Sequence, residues 1–175
     1  NEPGCSISGD TVAVSPEIMG RFLQLYKYDE DLDRVVPLQD TIYADSGVYS
    51  MSLSHAHLAY WDWGEYSRVF FIYRREEGNE TFTLHQQFNF SDSSNELALD
   101  QDTLVIGGDD QTHIYSELNG DWKETITLDQ SYDYYQLSGR NLLATKYWDG
   151  EVYSFNIEDC APMPTLMPSL SMART

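Results

Sequence analysis

Short runs of alternating apolar and polar residues, separated by turn-forming clusters, fill this chain as far as Phe155. One group reads Thr11-Val12-Ala13-Val14, then Phe22-Leu23-Gln24-Leu25-Tyr26-Lys27-Tyr28, then Arg34-Val35-Val36-Pro37-Leu38. A second gives Leu58-Ala59-Tyr60-Trp61, Val69-Phe70-Phe71-Ile72-Tyr73 and Thr81-Phe82-Thr83-Leu84-His85. The third holds Thr103-Leu104-Val105-Ile106, Thr112-His113-Ile114-Tyr115-Ser116 and Trp122-Lys123-Glu124-Thr125-Ile126; the fourth stops after Leu142-Leu143-Ala144-Thr145 and Val152-Tyr153-Ser154-Phe155. One more alternating run precedes each group: Ser6-Ile7-Ser8, Tyr49-Ser50-Met51-Ser52-Leu53, Glu96-Leu97-Ala98-Leu99 and Tyr134-Tyr135-Gln136-Leu137. A period of two puts successive side chains on opposite faces of a strand, and no long segment keeps the helical period. The pattern predicts an all-β chain.

The groups repeat. Thr11, His57, Thr103 and Asn141 hold equivalent places, 46, 46 and 38 residues apart, and Ser8-Gly9-Asp10-Thr11-Val12-Ala13-Val14 returns as Asp100-Gln101-Asp102-Thr103-Leu104-Val105-Ile106. Four short strands at such a spacing mark the blade of a β-propeller. A blade cannot bury both faces by itself, so blades stack radially and each reuses the same inner hairpin. The expectation is a propeller of about four blades, or a section of a larger one, with four short antiparallel strands per blade. It spans residues 1–160, with repeats near 5–46, 47–94, 95–131 and 132–160, the last lacking its outermost strand. The runner-up is a β-sandwich, which gives no reason for the motif to return at a fixed interval.

Composition narrows the partners. Ten Lys plus Arg face 29 Asp plus Glu, a formal net charge of −19, which repels nucleic acid and anionic lipid surfaces. No run of apolar residues is long enough to span a membrane as a helix. The chain begins without Met, consistent with removal of a leader, and carries sequons at Asn79-Glu80-Thr81 and Asn89-Phe90-Ser91. Its two cysteines, Cys5 and Cys160, bracket the repeats. In a closed ring the first and last blades touch, so a Cys5–Cys160 disulfide is placed to fasten them, adding roughly 5 kcal/mol by the chain-entropy estimate. Residues 161–175 contain three prolines and no acidic residue, the composition of an extended stalk. Together these features predict a secreted or cell-surface glycoprotein.

One repeat resembles a known family. Asp102-Thr103-Leu104-Val105-Ile106-Gly107-Gly108-Asp109-Asp110, His113-Ile114-Tyr115 and Trp122 with Thr125-Ile126-Thr127-Leu128 are similar to FG-GAP-type, integrin-like propeller repeats of secreted diatom and stramenopile proteins. Ser6 to Val14 resembles the start of the same unit, and the likeness extends loosely over about residues 5–160. The Phe-Gly that names the family is missing before the first strands. The resemblance implies a divergent member, an architecture more than an activity.

Candidate chemistry is sparse. Asp29, Asp31 and Asp33 match the first three positions of the calcium loop of integrin-like propellers, but Arg34 and Pro37 replace its Gly and last Asp; a solvated acidic hairpin is the competing reading. His55 and His57 share a face if extended and would need His85 or His113 to complete a zinc site. No carboxylate pair is set apart for glycoside hydrolysis, and an enzyme is not expected. The better contact residues are aromatics beside carboxylates: Trp61, Trp63 and Tyr66 around Asp62 and Glu65, and Tyr132 and Tyr134 around Asp133. Such groups stack on sugars or anchor protein contacts, although the same rings also serve as packing between blades. The expected function is a non-enzymatic extracellular binding or structural module, used in adhesion or assembly. Its partners would be an extracellular protein or glycan, or further copies of itself. The alternative is a carbohydrate-active protein, either a lectin-like binder or a divergent hydrolase.

Overall fold

The computed structural model describes residues 4–16, 20–63, 67–76, 78, 80–92, 96–146 and 150–157. Their regular structure is all strand, in two compact units, Asn1–Ser93 and Ser94–Thr175.

In the first unit, β1 (Gly4–Ser8), β2 (Thr11–Ser15), β3 (Gly20–Asp29) and β4 (Arg34–Pro37) form one antiparallel meander; β5 (Ile42–Leu53), β6 (His57–Trp63), β7 (Arg68–Arg75) and β8 (Phe82–Phe90) form a second. Alternation missed one feature. β5 begins at Ile42, ahead of the run at Tyr49, and its first half pairs with β3 through Phe22↔Tyr43 and Leu23↔Ile42. That pairing joins the meanders into one eight-stranded sheet. The inner strands also meet where Ser6 Oγ accepts the Leu53 amide at 2.9 Å. Ala13, Leu23, Leu25, Ile42, Leu58 and Tyr60 belong to this unit's core.

The second unit holds a four-stranded sheet, β9 (Leu97–Asp100), β10 (Thr103–Gly107), β11 (Thr112–Leu118) and β12 (Asp121–Leu128). Beside it lies a three-stranded one, β13 (Tyr134–Ser138), β14 (Asn141–Lys146) and β15 (Glu151–Asn156). Asp100 accepts the Gly139 amide at 2.6 Å, so here too the inner strands are tied together. Val105, Ile114, Leu142, Ala144 and Phe155 form the core between these sheets.

The recurring phrase is an inner hairpin. Ser8 pairs with Thr11, Asp100 with Thr103 and Ser138 with Asn141, which leaves two-residue loops. The first loop residue has positive φ in each: Gly9 at 60°, Gln101 at 50° and Gly139 at 56°. Such turns match the right-handed twist of the strands they connect. In the first and third meanders the Thr is buried, and its hydroxyl donates to the preceding Asp, Thr11 to Asp10 at 3.1 Å and Thr103 to Asp102 at 3.3 Å.

Candidate functional site

A bulge in β5 builds the site. Val48 pairs with Asp62 and Ser50 with Trp61, leaving Tyr49 as the additional residue. A bulge bends its strand and re-aims the extra side chain. Here the Tyr49 ring lies flat on Trp61, centroids 4.5 Å apart with planes 12° from parallel, and 6.2 Å from Trp63. The bulge also turns backbone amides away from the ladder, and Asp62 collects them. Its carboxylate accepts from Gly47 at 2.8 Å, Ser46 at 3.2 Å and Trp63 at 2.6 Å, while the residue is only 3% exposed. Charge-assisted bonds of this kind allow a carboxylate to sit in the interior without a cation.

Strand alternation sends Trp61 and Trp63 to the face opposite Asp62. Their burial differs sharply: Trp61 is 5% exposed, Trp63 45%. Arg68, directly across the ladder from Trp63, places its guanidinium 4.6 Å from the Trp63 ring centroid and 5.2 Å from that of Trp61. The planar cation is held by the Asp92 carbonyl at 3.0 Å. Trp61 Nε1–H and Arg68 Nε–H are buried and find no acceptor among the described residues. Tyr49, Trp61, Trp63 and Arg68 thus form a ledge with Trp63 as its open edge. Sequence reasoning found the tryptophans and missed Tyr49 and Arg68, since only the bulge and the β6–β7 register bring them there.

The other expected contact residues behave differently. Tyr132 is 4% exposed. It packs on Tyr153 and Phe155 with centroids 5.0 and 5.8 Å away, and Lys146 Nζ lies 5.8 Å from its ring. Burial pushes its phenol up to about 12. Tyr134 is exposed. In the β3–β4 turn, Asp29 accepts the amides of Asp31 and Leu32 at 3.0 and 3.1 Å, and Asp33 accepts the Tyr28 hydroxyl. These contacts close the hairpin, and among the described residues no three His, Cys, Asp or Glu are gathered to hold a metal ion. His55 is exposed beside Arg75, at 3.4 Å, whereas His57 is buried; His113 sits 3.2 Å from Glu124. Asn89 is exposed on β8. Cys5 is exposed and has no disulfide partner among the described residues. Tyr66, Asn79, Cys160 and the tail 161–175 lie outside those residues.

No protein-family model matches this sequence, and a comparison with curated proteins finds no match. Solved structures do match it in fold. Kluyveromyces lactis Hsv2 superposes with a TM-score of 0.65 at 12% identity, over 97% of this chain and 52% of that one. Saccharomyces cerevisiae Sqt1 gives 0.61 at 12% identity, over 87% and 44%, and U3-55K gives 0.58 at 12%, over 89% and 46%. The chain spans about half the length of these structures. Its fold is that of a β-propeller in part, built from antiparallel sheets without a helix among the described residues.

Proposed function

We propose that this chain is a non-enzymatic binding module of an extracellular or cell-surface protein, a divergent relative of the FG-GAP-type propellers, which recognises a protein partner through the Trp63–Arg68 ledge. The observation that carries this reading is the half-exposed Trp63 ring fixed between Tyr49 and Arg68. Trp, Tyr and Arg are the side chains that concentrate binding energy at protein interfaces, and a ring held in place loses little freedom when a partner covers it. The acid beside it is occupied: Asp62 is spent on backbone amides. In this reading the sequons at Asn79 and Asn89 carry N-glycans, and a Cys5–Cys160 disulfide fastens the ends of the repeats.

The test uses the labelled chain, secreted from a eukaryotic host, on cells of its source. Saturable binding that is lost on Trp63→Ala and on protease treatment of the cell surface is the expected result. Loss on enzymatic deglycosylation of the surface, with protease resistance, would replace the protein partner by a glycan and make the module lectin-like. Binding that survives Trp63→Ala undiminished would sink the ledge as the contact.

A further inference from the structure

A sheet with apolar residues on both faces has to cover both, and the sheets of a propeller do so by packing on one another. The first and last meanders each leave one such face open. Residues directly opposite in an antiparallel pair share a face, so the registers assign the sides. Ala13 and Leu25, opposite each other, point into the core of the first unit. On the reverse side Ile7 stands opposite Val12, Val12 opposite Tyr26 and Tyr26 opposite Pro37, a row across all four strands of the meander. Tyr28 opposite Val35 extends it, and Ile7, Tyr28 and Val35 are exposed.

The last meander has the same division. Leu142, Ala144 and Phe155 point into the core of the second unit. The reverse side has Tyr134 and Val152 on either side of Thr145, and Gln136 and Ser154 on either side of Leu143. Tyr134, Leu143 and Val152 are exposed. Among the paired positions of these two meanders, no Asp, Glu, Lys or Arg falls on an open face. Lys27, Asp29 and Arg34 belong to the core side of the first, and Lys146 with Glu151 to the core side of the last.

We propose that the two faces bind each other between copies: in a dimer, the first meander of each chain lies on the last meander of the other. A two-fold axis relates the two contacts. Charge favours a second copy as the occupant. Chains of net charge −19 repel where acidic surfaces meet, and the two uncharged faces allow an approach without opposing carboxylates. Each chain also carries both faces, so a second copy brings a partner for each of them. The chain spans about half the length of the solved propellers it matches, so two copies together carry about as much sheet as one of those. Asn89, on β8, lies on neither face.

Sedimentation velocity over a wide concentration range tests this, in reductant so that no disulfide contributes. The sedimenting mass should rise to twice that of one 20.1 kDa chain and stay there. Ile7→Glu charges the first face and Leu143→Glu the last. Each should weaken dimerisation by about tenfold or more, because the contact then buries an unpaired charge, with an unchanged far-UV spectrum. An equal mixture of the two variants should dimerise more tightly than either alone and less tightly than the parent. In the mixture the intact last face of one variant meets the intact first face of the other. A parent chain that stays monomeric overturns the proposal, as does growth beyond the dimer. So do single variants that dimerise like the parent, or a mixture no tighter than its components. The ledge is a separate surface: Trp63→Ala should dimerise as the parent does, so failure of one reading leaves the other intact.

Discussion

The Asp62 carboxylate lies 2.8 Å from the Gly47 amide, and this bond fixes the β5 bulge that aims Tyr49 at the tryptophans. A buried acid is thereby the support of an aromatic surface. Asp62→Ala leaves the amides of Ser46, Gly47 and Trp63 without their acceptor and should lower stability by about 3 kcal/mol. Asp62→Asn keeps one carbonyl oxygen and should lose less. Urea unfolding at neutral pH compares them; equal losses would mean that the charge, and not the acceptor geometry, holds the bulge.

Trp61 and Trp63 separate structural from contact roles on one strand. Trp61→Ala empties a buried site and should cost about 3–5 kcal/mol. Trp63→Ala removes a half-exposed ring and its Arg68 contact, for about 1 kcal/mol or less. The two chemical-denaturation midpoints should therefore differ widely, and a Trp63→Ala loss as large as that of Trp61→Ala would place Trp63 in the core.

The inner hairpins invite a gain. Gln101 holds a φ of 50° where equivalent loops use Gly9 and Gly139. A residue with a Cβ is strained there by about 1 kcal/mol. Gln101→Gly should raise stability by up to that amount, read as a higher thermal midpoint; a lower midpoint would mean that contacts of the Gln101 side chain outweigh the strain.

Gly107 is required by contact instead of by φ. A Cβ on it would lie 2.7 Å from Cε2 and 2.9 Å from the hydroxyl of Tyr135. That hydroxyl is held by Thr112 at 2.8 Å and by the Tyr132 amide at 2.9 Å, so the ring has little room to withdraw. Gly107→Ala should cost about 1–3 kcal/mol as overpacking, and thermal melting would show it. An unchanged midpoint would mean that the ring moves freely.

Glu124 predicts a pH dependence. Burial pushes its carboxyl up, but hydrogen bonds from Thr127 at 2.5 Å, from His113 and from Tyr115, with the charge of His113, outweigh it and hold the group below its usual value of 4.5. A carboxyl depressed in the folded state contributes stability above its unfolded pKa and loses it as pH falls through the folded one. Denaturant midpoints of the parent should therefore drop below about pH 4.5 more steeply than those of Glu124→Gln. Parallel curves would remove Glu124 from the acid response. The side chain is 41% exposed, so solvent keeps the effect small.

The strands were legible because alternation, turn residues and the returning Asp-Thr phrase are local properties. A period of two, turn-forming residues between the runs and a motif returning after 46, 46 and 38 residues need no knowledge of distant contacts. The repeat also indicated propeller blades, since neighbouring sheets must cover each other's faces. What alternation cannot supply is depth. Trp61 and Trp63 share a face by periodicity, yet one is covered and the other open, because the Tyr49 ring of a neighbouring strand lies flat on Trp61. Asp62 reads as a surface acid and is buried, because a bulge formed with a different strand turns amides toward it. Arg68 reaches the tryptophans only through the register of β6 with β7. Sequence alone determined most of the strands and the tight hairpins between them. Tertiary structure decided which side chains became core, support or open surface, since burial depends on what the neighbouring strands bring.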